Sequence, residues 1–306
     1  MTNQTIEIDV SPIPEQETMG KIVWRNFRRH PMGLVGATIL GVIILFSVFA
    51  FLLPQTPEDI DTANRLQPPS LEHIFGTDRY GRDIFTRIAY GGRISLAVGI
   101  LAMLAATVIG IIVGGLAGFY SGKSDIVLMR LTDFFLSFPQ LFILLFLSFI
   151  LRQSNVTFLQ GGVGNITLVI ALTSWMIVAR LVRATFLKLR ESEFVRAAAS
   201  YGASDFHIVF HHILPNALGP IIVSGTMGIA WAIIIESGLS FLGYGIQQPT
   251  PTWGNMLQET RRSMGVYPWL TFFPGSMIFL TVISLNYLGD ALRDALDPHK
   301  FVGLRR

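Results

Sequence analysis

Cysteine is absent from the 306 residues, so neither a disulfide nor a thiolate ligand or nucleophile is available. Charge is scarce. Only 14% of the residues are Asp, Glu, Lys or Arg, against roughly 25% in soluble domains. With 51% hydrophobic residues and a mean hydropathy of +0.53, that deficit puts much of the surface in lipid and excludes an ordinary water-soluble enzyme. Low-complexity tracts and repeats of about 20–50 residues are also missing, which excludes a solenoid. The start, Met1 to Gly20, is polar and acidic. It lacks the basic n-region and short apolar core of a signal peptide, so no cleavage is expected.

What the chain does have is long apolar runs. A spanning helix needs roughly 20 mostly apolar residues. The runs Met32 to Leu53, Ile94 to Tyr120, Ile126 to Leu151, Ile166 to Leu187, Ala217 to Gly243 and Trp269 to Leu288 meet that length. Pro139 and Asp133 in the third run, and Pro220 and Glu236 in the fifth, are read as features inside spans, because the apolar pattern resumes on both sides. The fold class expected is therefore an all-α integral membrane protein with six transmembrane helices. Its parts are a segment 1–31, a first helix 32–53, a loop 54–91, a membrane domain 92–290 with a long loop at 190–216, and a tail 291–306. An even number of spans puts both termini on one side. Of the 23 Lys and Arg residues, 15 fall on that side, which the excess of positive charge assigns to the cytoplasm. Small residues at Gly110, Gly114 and Gly118, and at Gly33, Ala37 and Gly41, form stripes suited to close helix packing, read here as contacts within one subunit.

The most informative stretch is the polar, basic loop Arg190 to Asn216. Glu193 to Ser200 favours a helix, with Ala197, Ala198 and Ala199 in a row. Gly202 allows a tight or left-handed turn, followed by Ala203. Ser204 or Asp205 can cap a second short helix, which Pro215 is expected to stop. Two short helices at an angle make a knob. Its small alanines allow close seating in a partner's groove, and Phe194, Phe206 and Phe210 are apolar anchors.

Three further runs matter. Phe75 to Asp83 reads FGTDRYGRD, Glu236 to Gly245 reads ESGLSFLGYG, and Leu288 to Pro298 reads LGDALRDALDP. With Ala197, Ala198, Gly202, Leu214 and Pro215, they make the chain from about Trp24 to Pro298 resemble the C-type permeases of the dipeptide, oligopeptide and nickel ABC importers. The family's loop has Glu-Ala-Ala, three residues, Gly, nine residues, Ile, one residue and Leu-Pro. Here Arg196 holds the Glu position and His212 the Ile position. Glu193, on the same helical face, is a candidate substitute carboxylate.

The resemblance implies the type I ABC importer permease fold. It implies a homologous B-type permease as partner, two ABC ATPase subunits docked below the pair, with the 190–216 loop as this chain's coupling element, and an extracytoplasmic solute-binding protein. ATP and magnesium would be held by those partner subunits and no cofactor by this chain. The cargo implied is a dipeptide or oligopeptide, with nickel or another small solute as the alternative.

Other patterns point elsewhere and fail on chemistry. Gly118 to Ser124 approaches a phosphate loop, but its first glycine position is Ala117 and a membrane helix precedes it. Gly238-Leu239-Ser240 looks like a serine-nucleophile turn, yet every histidine lies outside the apolar runs. His207, His211 and His212 have metal-ligand spacing, but they sit on the docking loop. A secondary transporter would need inverted repeats and broken helices, and neither is apparent. Arg25, Arg28 and Arg29 with Trp24 and Phe27 read as an anchor on anionic membrane lipid rather than as a nucleic-acid site. Trp253 and Trp269 read as interfacial anchors. Asp133 and Glu236 are candidate pathway charges or packing residues, with Arg130 or Arg180 as ion-pair partners.

Overall fold

The structure is a computed structural model that describes residues 19–297 apart from Gly161 and Arg262. Of the features above, the polar start before Met19, Arg262, and everything from Pro298 onward lie outside the described residues. The described residues are helical, without a β-strand. In chain order the helices are α1 (Met19–Arg28), α2 (Pro31–Val48), α3 (Ile84–Tyr120), α4 (Gly122–Leu136), α5 (Gln140–Arg152), α6 (Val163–Arg190), α7 (Glu193–Ser200), α8 (Asp205–Phe241), α9 (Trp253–Thr260) and α10 (Trp269–Leu296).

Five of these are long and apolar enough to cross a membrane, and the pair α4 and α5 makes a sixth if it counts as one broken span. The expected third span is therefore not one helix. The chain breaks at Ser137 to Pro139 and bends by 90°. The physical reason is that Pro139 disfavours the helical conformation at Phe138 and supplies no N–H to continue the ladder. Pro220 stays inside α8, because Gly219 before it has no Cβ to clash with the proline ring.

The second span starts earlier than the apolar pattern indicates. α3 begins at Ile84 rather than Ile94, with Asp83 as its cap accepting the Thr86 N–H at 2.8 Å. It takes in Arg87, whose charge looked like a loop signal. The buried guanidinium is matched by Asp78 and Glu259. The fifth helix also starts early. Pro215 does not stop the short helix after Gly202. That helix continues through a π-helical stretch, Ile208–Ile213, into α8. The wider turn accommodates the proline ring, which would otherwise press on the carbonyl one turn back.

α3 and α6 form the central seam. A Cβ at Gly114 would lie 2.3 Å from the Ala179 carbonyl oxygen, and one at Gly118 would lie 2.7 Å from that of Arg183. The glycine stripe is thus a contact within this chain, as expected. The stripe on α2 is shifted. Gly33 and Gly36 meet α10, whereas Gly41 faces open space.

Away from α7, the first loop and α9 close the end of the bundle. Asp78, Arg82, Arg87 and Glu259 are all buried there and alternate in sign. Arg82 donates to Asp78 at 2.6 Å and to Glu259 at 2.7 Å, and Arg87 donates to the same two carboxylates at 2.7 and 2.8 Å. Trp253 and Trp269 pack into this cap and its core. Trp253 is fully buried and its indole N–H donates to the Ile88 carbonyl at 3.0 Å. The Trp269 indole nitrogen is buried as well.

Candidate functional site

The loop at 190–216 folds into a rigid knob. α7 runs from Glu193 to Ser200, and two bonds close it at the glycine. The Gly202 N–H donates to the Ala199 carbonyl at 3.0 Å, and the Ala203 N–H donates to the Ala198 carbonyl at 3.1 Å. Gly202 has φ +80°, the left-handed conformation that this helix ending requires. Ser204 then caps α8, its hydroxyl accepting the His207 N–H at 3.3 Å. Val195, Ile208 and Ile213 are buried, and Ala198, Ala203 and Leu214 pack partly buried against them. That inner face ties the knob to the end of α6 and to the body of α8.

The outer face is bare. Glu193, Arg196, Ala197, Ala199, Gly202 and Pro215 are exposed, as are Phe194, Phe206 and Phe210. The Phe206 and Phe210 rings lie 4.4 Å apart and form one apolar ridge. Tyr201, at 92% exposure, is the most prominent side chain of the knob. Sequence reasoning passed over it, although an aromatic residue directly before a helix-ending glycine in a polar loop is a usable signal. Beside the knob lies a cavity of about 290 Å³ lined by Tyr120, Arg190, Arg196 and Asp205 among others. Arg196 thus projects at the rim of a recess, where the family motif has a carboxylate.

The intramembrane acids have different surroundings. Glu236 is fully buried and touches no surface of the chain. Its carboxylate accepts from Ser240 at 2.8 Å, Ser95 at 3.3 Å and Ser237 at 3.4 Å. Ser95 in turn accepts the Trp253 N–H at 3.3 Å, so the node joins α3, α8 and α9. The geometry is that of packing, through hydroxyls and not through Arg130 or Arg180. Asp133 instead accepts a bond from Arg180 at 2.6 Å, and both side chains are half exposed. Nearer the knob, Arg183 pairs with Asp125 through both carboxylate oxygens.

The Ser240 hydroxyl is committed to Glu236, and Gly118 to Ser124 straddles two helices. The rings of His207 and His211 stack 4.3 Å apart. Among the described residues, no three His, Asp or Glu side chains converge as a metal site.

The described residues thus form a helical chain with several spans long and apolar enough to cross a membrane and an aromatic knob exposed at one end. Comparison with known proteins identifies which kind. Residues 106–302 match the family described as binding-protein-dependent transport system inner membrane component, and residues 18–69 match the N-terminal TM domain of oligopeptide transport permease C. The chain is 42% identical to the dipeptide transport system permease protein DppC of Alkalihalophilus pseudofirmus over 94% of each chain. It is also 42% identical to the glutathione transport system permease protein GsiD of Escherichia coli, over 90% of this chain and 89% of that one. In fold it resembles the solved inward-facing MetNI methionine ABC transporter, with a TM-score of 0.58 at 18% identity, over 68% of this chain and 94% of that one. The chain belongs to the family of binding-protein-dependent transport system inner membrane components. It is a multi-pass permease subunit of an ABC importer and a non-enzymatic membrane component.

Proposed function

We propose that this permease forms half of a translocation path for dipeptides or oligopeptides. It pairs with a homologous B-type permease, receives cargo from an extracytoplasmic solute-binding protein, and engages separate ATPase subunits through the loop 190–216. The termini and the knob then face the cytoplasm, where ATP is. The observation that carries the coupling role is the knob itself. Its inner face packs on the end of α6 and continues into α8, and its outer face presents Tyr201, Phe206 and Phe210 to solvent. Exposed aromatics on a rigid mount are what an interface anchor requires. The peptide cargo is supported by the names of the relatives, which specify a dipeptide and glutathione as the transported substrates.

In this scheme ATP binding draws the two ATPase subunits together, and each knob moves with the subunit that holds it. Because the knob packs on α6 and runs directly into α8, the movement reaches the spans. ATP and the loaded binding protein favour the outward-facing state, and hydrolysis returns the equilibrium.

The test uses the importer co-expressed as a complex and purified through a tag on this chain. Gly202→Pro forces φ near −65° where +80° is needed. It leaves the spans untouched. Loss of the ATPase subunits, or ATPase activity that no longer responds to the binding protein, supports the coupling role. A variant complex that stays intact and stays stimulated refutes it.

A further inference from the structure

We propose that Asp133 and Arg180 form a binding step in the translocation path that holds the two charged ends of a zwitterionic peptide. The proposal rests on the peptide-permease reading and names a site for it. Arg180 stands ten residues before the end of α6, about 15 Å along the axis. A helix of 28 residues is about 42 Å long, so a hydrocarbon layer of about 30 Å centred on it includes Arg180. Asp133 reaches it from the last turn of α4, just before the 90° break.

This pair is half exposed, at 50% for Arg180 and 51% for Asp133. Ions open to lipid at that depth cost about 2.5–3.5 kcal/mol each even on the mildest scales, and such residues face the bundle interior or a water-filled cavity. The surrounding face agrees. Ile177 and Ala184, about one turn to either side of Arg180, are exposed, as is Arg130 one turn before Asp133. The opposite face of α6, with Val178, Val182 and Phe186, is the one buried against α3. The Arg183–Asp125 pair nearer the knob is less exposed, at 35% and 17%, and reads as a brace.

The chemistry is an exchange. The peptide carboxylate takes the guanidinium fork of Arg180 and the peptide ammonium takes Asp133, so two ion pairs replace one pair and a solvated zwitterion. Each protein charge keeps a partner throughout. Binding of this kind is weak and reversible, which a path needs if cargo is to leave it.

The absence of cysteine in this chain supplies the test. Ile177→Cys is introduced into the complete importer, reconstituted in nanodiscs with its partner permease and ATPases. Modification of this chain by a cationic methanethiosulfonate is followed by intact mass. The expected result is ready labelling, slowed by millimolar alanylalanine and not by its N-acetyl amide. With Arg180→Gln or Asp133→Asn added, the half-protecting concentration rises about tenfold. No labelling would mean that this face is sealed against the partner permease or lipid. Labelling that both peptides slow equally, or that neither slows, would mean a wet surface without a site. Either outcome overturns the proposal, and the Ile177→Cys arm decides it even if the charge variants fail to assemble. Uptake of alanylalanine into proteoliposomes with the binding protein runs alongside. Uptake without protection sinks this site alone, whereas absence of uptake sinks the peptide reading with it.

Discussion

At the scale of single residues, the four buried charges of the cap are the most sensitive feature. Glu259 bonds both Arg82 and Arg87, and both guanidinium groups are nearly excluded from solvent. Removing one member of such a network leaves a charge uncompensated, at a cost of about 3–5 kcal/mol. Glu259→Gln should therefore lower the melting temperature of the purified complex markedly, while Glu193→Gln on the exposed face of α7 should not. Equal melting curves for the two variants would show that the cap contributes little to stability. Glu236 gives a milder expectation. Glu236→Gln keeps an acceptor for Ser240 and should be tolerated, whereas Glu236→Leu strands the hydroxyls at about 1–3 kcal/mol each. A Leu variant as stable as the Gln variant would refute the packing role. The closure of the cap network was not legible in the sequence. Asp78 lies only nine positions before Arg87, but Glu259, which joins both arginines, is 172 positions away, so a local reading could not close the network.

At the scale of elements, the α3–α6 seam depends on backbone contact. Gly114 has no room for a side chain, while Gly41 has nothing within 4 Å of a Cβ. Gly114→Leu should abolish recovery of monodisperse complex, since overpacking a tight seam costs about 1–3 kcal/mol or more. Gly41→Leu should leave recovery unchanged. The reverse order on size-exclusion chromatography would place the seam elsewhere. The seam was legible because glycines repeat every four residues on one face. So was α7, since Glu193 to Ser200, the turn at Gly202 and the cap at Ser204 each follow from local chemistry. Prolines were less legible. Pro139, Pro220 and Pro274 all lie in apolar runs, yet the chain breaks only at the first of these three. Gly219 relieves Pro220, and burial holds Pro274 in place, whereas Pro139 is exposed and has neither. Gly219 is visible in the sequence, but burial is a tertiary property, so the sequence alone does not separate Pro139 from Pro274.

At the scale of the whole molecule, the open question is whether the bent pair α4–α5 crosses the bundle or folds back. α3 and α6 answer it. Gly110 meets Val178, Gly114 meets Val182, and Gly118 meets Phe186, so the two helices run parallel. Their last turns lie together, with Arg190 donating to Ser121 at 2.8 Å. A chain that leaves one helix and enters a parallel neighbour must return to the starting end. α5 does so, since Ser148 and Arg152 bond the carbonyls of Tyr244 and Gly245 beyond the far end of α8. The bent pair therefore counts as one crossing. Six crossings place the first loop and the knob on opposite sides, and the proposed function puts the knob, on the side richer in Lys and Arg, in the cytoplasm. Single cysteines at Leu71 and Tyr201, both almost fully exposed, can report this without a background from the chain itself. An impermeant maleimide should label Leu71→Cys in right-side-out vesicles and Tyr201→Cys only in inverted ones. Labelling of both from one side would mean that the bent pair is re-entrant, and the parallel packing of α3 and α6 could not then stand. Opposite sidedness in reverse would keep the six crossings but put the knob outside, away from ATP, and the coupling role would fail with it.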